Sequence, residues 1–283
     1  MKALVTGGRG FVGSHLCNLL EAGGDVPIPY DLKDGLDTLN AETVREAVKH
    51  VDVVFDTAGV LGSAETMAHV RRTLAVNVGG VLNILEACHE FNVPLIHLSL
   101  KNEWRNPYMI SKHCAANFAL MYAEYMRLPV AIVRGLNAYG PGQHWGKVRK
   151  VVPTWIMAGL KGKNIEVYGD GRQILDLIHV DDLCELMIRM WEERAWGEDV
   201  DGGTGVPTTA EWLACLIQDL TGRKSNITYI PMRPGEPPEG GVALADPSKA
   251  LRLVGFYPNT PLQEGLADTV DWYREYGHEV RDA

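Results

Sequence analysis

Tyr108 and Lys112 stand four residues apart in the segment PYMISK, so on a helix they share one face. A lysine ammonium beside a phenol favours the phenolate and lowers the tyrosine pKa. Such a pair can take a proton from a substrate hydroxyl and return it. Pro107, just before them, suits the first position of that helix. Alone, a Tyr/Lys pair at this spacing is more often a surface pair, so its meaning depends on what else the chain carries.

The N-terminus carries the context. The apolar run Ala3 to Val5 has the length of a buried strand, and Gly7, Gly10 and Gly13 follow it. Val12, Leu16, Leu19 and Leu20 then recur at helical spacing up to Gly23-Gly24. Glycines at such a strand-to-helix turn allow a tight bend, a close approach by a pyrophosphate, and close helix packing. The first helical amides, those of Phe11 and Val12 among them, would face the phosphates. Asp31 lies eighteen residues past Gly13, near the distance at which a carboxylate binds the adenosine ribose. Further candidates for cofactor contact are Ala58-Gly59, Asn77 and Ser99.

The elements that must position these residues follow in order. Strands are predicted at Val26 to Tyr30, Val51 to Thr57, Leu95 to Leu100 and Val130 to Arg134. Pro27 and Pro29 send their missing donors to one side of the second strand, so one of its ladders should be depleted. Asp37 or Thr38 is expected to cap the next helix, and residues 66–90 to form a long helical region. Asn77 within it is either exposed or bonded to a neighbouring loop. A strand at Ile174 to Val180, a helix through Trp191, a helix at Thr209 to Leu220 and a terminal helix at Pro261 to Tyr276 complete the chain. Lys147, Arg149, Lys150, Lys161 and Lys163 form a basic stretch, and the Pro/Gly-rich loop Pro231 to Gly241 contains Arg233.

The composition, 46% apolar and 22% charged, is that of a globular protein. No apolar run is long enough to span a membrane, which argues for the cytoplasm. Five scattered cysteines without C-x-x-C or His clusters argue against disulfides and a structural metal. A net charge of −9 argues against nucleic acid, yet a few cations can still build a local anion pocket.

Taken together, the chain resembles the extended short-chain dehydrogenase/reductase superfamily, in its nucleotide-sugar epimerase/dehydratase branch. The resemblance runs through TGGRGFVGSHL, NVGGVLNILEAC, PYMISK, RGLNAYGPGQ, VYGDGRQ, LIHVDD, GGTG, RPGE, DPSKA and a final helix with DWY. It implies an α/β fold: a Rossmann-type doubly wound parallel sheet (residues 1–139 plus about 174–203) with a smaller C-terminal α/β substrate domain (about 140–173 plus 204–283). It implies NAD, a nucleoside-diphosphate sugar, and a homodimer built from helices around 70–90 and 108–126. Tyr108 would deprotonate the sugar 4-hydroxyl as hydride leaves C4, and Lys112 would bond the nicotinamide ribose. Asn137 would bind substrate and Arg233 its diphosphate.

Three departures from the family stand out. The Ser or Thr at the end of the fourth strand falls on Leu100 or Lys101. Ser99 is one step short and, by alternation, points the other way. The loop before Tyr108 is cut to about eight residues. Leu175 stands where the family has an arginine, so one diphosphate contact is lost unless Arg172 or a lysine from 147–163 replaces it. The leading expectation is a 4-epimerase. A dehydratase using Glu103, the one carboxylate of the short loop, is the alternative. An NADP-dependent keto-sugar reductase using Arg9, and a non-catalytic cofactor-binding module, come next.

Overall fold

The protein, described by a computed structural model over residues 1–237 and 241–280, is built on a six-stranded parallel sheet. Its strands are β1 (Lys2–Thr6), β2 (Val26–Tyr30), β3 (Val53–Asp56), β4 (Leu95–Leu100), β5 (Val130–Gly135) and a last strand, Asp199–Gly202. The order is Asp199–Gly202, β5, β4, β3, β1, β2. The order reverses beside β1, and a doubly wound sheet opens its ligand crevice at such a switch point.

Both faces are covered, as a parallel sheet requires. Ala3 and Val5 face the helices Phe11–Ala22 and Val180–Glu192, where Leu16, Leu20, Leu183 and Met187 are fully buried. Leu4 and Val54 face the other way, onto Val44, Ile84 and Ala115 of the helices Ala41–Val48, Val81–Phe91 and Pro107–Met126. This period-two split is the pleat of the strands read out in packing.

β2 lies at the sheet edge, which explains how it tolerates two prolines. The Val26 N–H donates to Met1 O, so the alternate residues Pro27 and Pro29 turn their donor-less nitrogens to the unpartnered side. A third core lies outside this sheet. It joins the helices Val151–Leu160, Ala210–Leu220 and Leu262–Tyr276 to the parallel pair Ile165–Tyr168 and Ile227–Ile230, through Trp155, Ile156, Val167, Leu213, Ile217 and Leu266.

Several expectations change in detail. Asn40, not Asp37 or Thr38, caps the second helix, its Oδ1 accepting from Thr43 N at 3.3 Å. Asp37 is spent on Leu39 N. Residues 65–91 are not one helix: a 3-10 turn Glu65–Ala68, a short helix Val70–Leu74 and a wide π-turn Ala75–Gly80 precede Val81–Phe91. The strand expected at 174–180 divides into Ile174–Leu175 and Leu177–His179 around the buried Asp176. Residues 238–240, part of the Pro231–Gly241 loop, lie outside the described residues.

Candidate active site

The glycine turn is built on backbone proximity. Gly7 adopts φ +66°, and a Cβ there would stand 3.0 Å from the backbone of Ala58. At Gly13 a Cβ would drive into the carbonyl of Gly7. The first turn of Phe11–Ala22 therefore packs against the loop that a pyrophosphate would approach, with its amides directed there. Asp31 directly follows β2 and accepts from the N–H of Arg9 (3.0 Å) and of Lys33 (2.9 Å). Arg9 itself pairs with Asp34 at 2.9 Å, which engages the cation that a 2′-phosphate would need.

The helix Pro107–Met126 starts cleanly. Asn106 Oδ1 caps it by accepting from Met109 N at 2.9 Å, and Pro107 occupies the first turn. Tyr108 and Lys112 point inward and are 9% and 5% exposed. Burial pushes the Tyr108 phenol up. Burial also lowers the Lys112 ammonium, against a raising influence from Asp56. The expected lowering of the tyrosine by the lysine is therefore outweighed here by desolvation of both groups. Among the described residues Lys112 Nζ has no hydrogen-bond partner.

Beneath Lys112 lies a pair that sequence reading missed. Asp56 Oδ1 accepts from Thr6 Oγ1 at 2.5 Å, and Asp56 Oδ2 is 2.7 Å from His97 Nδ1. Both side chains are fully buried. Burial would raise the Asp56 carboxyl, but the hydrogen bond from His97, the charge of Lys112 and the hydrogen bond from Thr6 hold it below the ordinary range. Burial, with the Lys112 charge, keeps His97 neutral, so its Nδ1–H donates to Asp56 and its Nε2 has no partner. The sequence signal was a charged residue inside each of two apolar strands.

One cleft of about 1690 Å³ joins these parts. Gly7, Gly10, Phe11, Val12, Gly13, Asp31, Ala58 and Gly59 line one end; Ser99, Tyr108 and Lys112 line the middle. Asn137, Arg149, Lys150 and Arg233 line the other end. Asn77 is set back from it. Its amide brackets Val60, accepting from Val60 N (2.7 Å) and donating to Val60 O (3.0 Å), and donates to Ser111 Oγ (2.9 Å). Asn77 thus fixes the Ala58–Val60 loop against the tyrosine helix from behind. Ser99 Oγ donates to the Lys112 carbonyl at 3.3 Å, which ties β4 to that helix.

Besides Asn77, two expected site residues are not brought to this cleft. Glu103 is exposed and borders a separate hollow with Lys101 and Val242. The short loop turns it outward, where the Asn102 carbonyl is held at 2.5 Å by His113. Arg172 is 86% exposed on its turn and lies 3.7 Å from Asp170. Lys147, Arg149, Lys150 and Lys163 of the basic stretch line the cleft together with Leu175. Lys150 Nζ stands 5.9 Å over the Tyr108 ring, and Lys101 is bound to Asp201 at 2.9 Å. Asn102, which with Glu103 partly echoes the Asp-Glu pair of dehydratases, and Trp104, which carried no signal in the sequence, also line the cleft. Among the described residues no group of three or more His, Cys, Asp or Glu could hold a metal ion, and no helix is long and apolar enough to cross a membrane.

The model of the NAD dependent epimerase/dehydratase family matches residues 3–201. The chain belongs to that family. The cofactor of the family is NAD, and the glycine turn with Asp31 fits it. Among curated relatives, a UDP-N-acetyl-alpha-D-glucosaminuronate decarboxylase of Bacillus cytotoxicus is 30% identical, over 97% of this chain and 98% of that protein. Among solved structures, the epimerase Mth375 of Methanothermobacter thermautotrophicus shares the fold with a TM-score of 0.93 at 24% identity, covering 100% of this chain and 94% of that one. A dTDP-glucose 4,6-dehydratase double mutant, DesIV of Streptomyces venezuelae, solved with NAD and DAU bound, matches at 26% identity and TM-score 0.87 over 98% of both chains. The family member described here is thus similar to a decarboxylase and to a dehydratase of nucleotide sugars, and shares its fold with an epimerase.

Proposed function

We propose that this family member is an NAD-dependent nucleotide-sugar enzyme that oxidises its substrate at C4, and that it works as a 4-epimerase. The observation that carries the reading is the single cleft in which Tyr108 and Lys112 lie between the glycine turn and a cationic end made by Arg149, Lys150 and Arg233. Those cations suit a diphosphate in a chain of net charge −9. NAD, when bound, accepts hydride. Tyr108 takes the proton of the 4-hydroxyl and returns it on reduction, and Lys112, on the same helix face, bonds the nicotinamide ribose. Asn137, whose Nδ2 donates to Asp176 O at 3.1 Å, presents its remaining amide capacity to the sugar side. Residues 140–173 and 204–283 serve as the substrate-binding part.

Elimination of water needs an acid or base at the leaving hydroxyl, and Glu103 faces away from the cleft. That weakens the dehydratase reading. A second reading is favoured by one comparison. The relative at 30% identity is named for decarboxylation of a nucleotide-linked uronate. A 4-keto uronate is a β-keto acid that loses carbon dioxide without a further carboxylate base. The test is turnover of UDP-, dTDP- and GDP-linked hexoses and uronates with product identification. A C4 epimer supports the leading reading, loss of carbon dioxide supports the second, and no turnover by NAD-loaded protein removes both. We also propose a homodimer through the helix Pro107–Met126, on which Ile110, Tyr125 and Met126 stay exposed. A monomer in light scattering at micromolar concentration would remove that proposal.

A further inference from the structure

The cationic end of the cleft contains a counter-ion of its own. Arg233 Nη2 donates to Glu65 Oε1 at 2.7 Å, although the two residues lie 168 positions apart. Arg233 Nη1 donates to the Arg149 carbonyl at 3.1 Å, and the Arg149 N–H donates to the same Glu65 oxygen at 3.3 Å. Both ends of the guanidinium are therefore engaged. The side chains are only 13% and 25% exposed. Glu236 lies further off, at 3.8 Å from Arg233 Nη1.

The surroundings are shaped for this pair. Gly62 has φ +102°, and a side chain there would collide with the Glu65 carboxylate. Gly235 lies so close to the residue 62–65 turn that a Cβ would stand 2.8 Å from Ser63 O. The Gly235 carbonyl accepts from Asn106 Nδ2 at 2.8 Å. The loop that carries Arg233 is thereby strapped to two segments of the sheet-bearing half, the turn after β3 and the cap of the tyrosine helix. Among the described residues Glu65 Oε2 is buried without a hydrogen-bond partner, so the carboxylate is satisfied by them on one oxygen only.

We infer that Glu65 is an internal counter-ion that occupies Arg233 until a nucleoside diphosphate displaces it, and that Glu65 thereby sets the affinity of the diphosphate subsite. The inference rests on the reading of Arg233 as a diphosphate ligand. A partly buried guanidinium needs a charge partner, and Glu65 provides one in the resting protein. A diphosphate carries more charge and more acceptor oxygens than a carboxylate, and a guanidinium pairs with it in two-point fashion. Arg233 is free for it only in the fraction of molecules in which Glu65 has let go, and apparent affinity is reduced by that fraction. Lys150 is the neighbouring cation, and Glu65 acts on its charge as well.

The experiment is calorimetric titration of NAD-loaded protein with UDP, dTDP and GDP, using the tightest of the three for the variants. Glu65→Gln should bind it about three- to tenfold more tightly than the wild type, the scale of freeing one partly screened cation. Arg233→Ala should bind it more weakly, and adding Glu65→Gln to that variant should change nothing, because the gain acts through Arg233. Unchanged or weaker binding by Glu65→Gln overturns the inference, as does an equal gain in the Arg233→Ala background. Failure of the wild type to bind any of the three nucleotides overturns the diphosphate reading itself, and with it this inference. NAD affinity is the fold control; if Glu65→Gln does not fold, Glu65→Thr is used with the same expected gain.

Discussion

The two ends of the cleft are made of different material. The cofactor end is mostly backbone: the Gly7–Gly13 turn, the Ala58-Gly59 loop and the first amides of one helix. Asp31, one of its acidic groups, accepts from the N–H of Lys33 beside it and of Arg9 in the glycine turn. The proposed substrate end is mostly side chain. Arg149, Lys150, Trp104, Asn137 and Arg233 come from four widely separated segments, and their charges are balanced by Glu65 and Glu236. A backbone cradle for a constant ligand tolerates no change at its glycines. A side-chain cradle can lose a family arginine at Leu175 and recover positive charge from the basic stretch at 147–163.

The largest expected effect lies at the junction of the two ends. Tyr108→Phe should lower turnover by roughly a hundredfold or more, the scale of a positioned proton carrier, while NAD binding by calorimetry stays intact. Retained turnover would remove Tyr108 from the chemistry and leave the cleft without its acid/base.

The next effect tests the backbone end. In Gly13→Ala the new methyl meets the Gly7 carbonyl, and backbone has to move. NAD affinity should fall by at least tenfold, with a stability loss of about 1–3 kcal/mol, as overpacking of a tight contact gives. The same glycine-to-alanine change at Gly24, which has open space but φ +85°, should leave NAD affinity untouched. Equal loss in both variants would mean that the turn matters only as fold.

A smaller effect concerns pH. Asp56 and His97 are both held below their ordinary pKa values, by the causes given above. The unfolded chain then binds more protons than the folded one in the acidic range, so stability rises with pH there. The His97 contribution is complete above its unfolded pKa, about 6.5, and is lost as pH falls below that value; the Asp56 contribution is lost at lower pH still. Melting temperature should drop between pH 7 and pH 5. His97→Asn, which can still donate to Asp56, should flatten the drop near pH 6, and an unchanged pH profile would show that the pair does not titrate with folding.

The smallest expected effect is at Glu103. Glu103→Gln should alter turnover by less than about twofold, as an exposed surface change does. A loss of elimination activity would restore the dehydratase reading and show that the loop turns inward with substrate.

The sequence was informative where function depends on local geometry. The strand–glycine–helix turn, Asp31 at its distance, Pro107 opening a helix, and the four-residue step from Tyr108 to Lys112 are all short-range patterns, and each stands in the structure as local physics requires. The parallel sheet and its family followed from the order of those patterns. The helix cap at Asn40, the breaks within 65–91 and the interruption at Asp176 were not legible, because tertiary contacts override weak local preference at element ends. Glu103 and Asn102 are neighbours on one loop, yet one faces solvent and the other the cleft; spacing alone assigns no direction to a loop side chain. Asp56 with His97, and Glu65 with Arg233, are pairs separated by 41 and 168 residues. Burial makes those charges seek each other, and only the folded chain decides which of its many charges are brought close enough to pair.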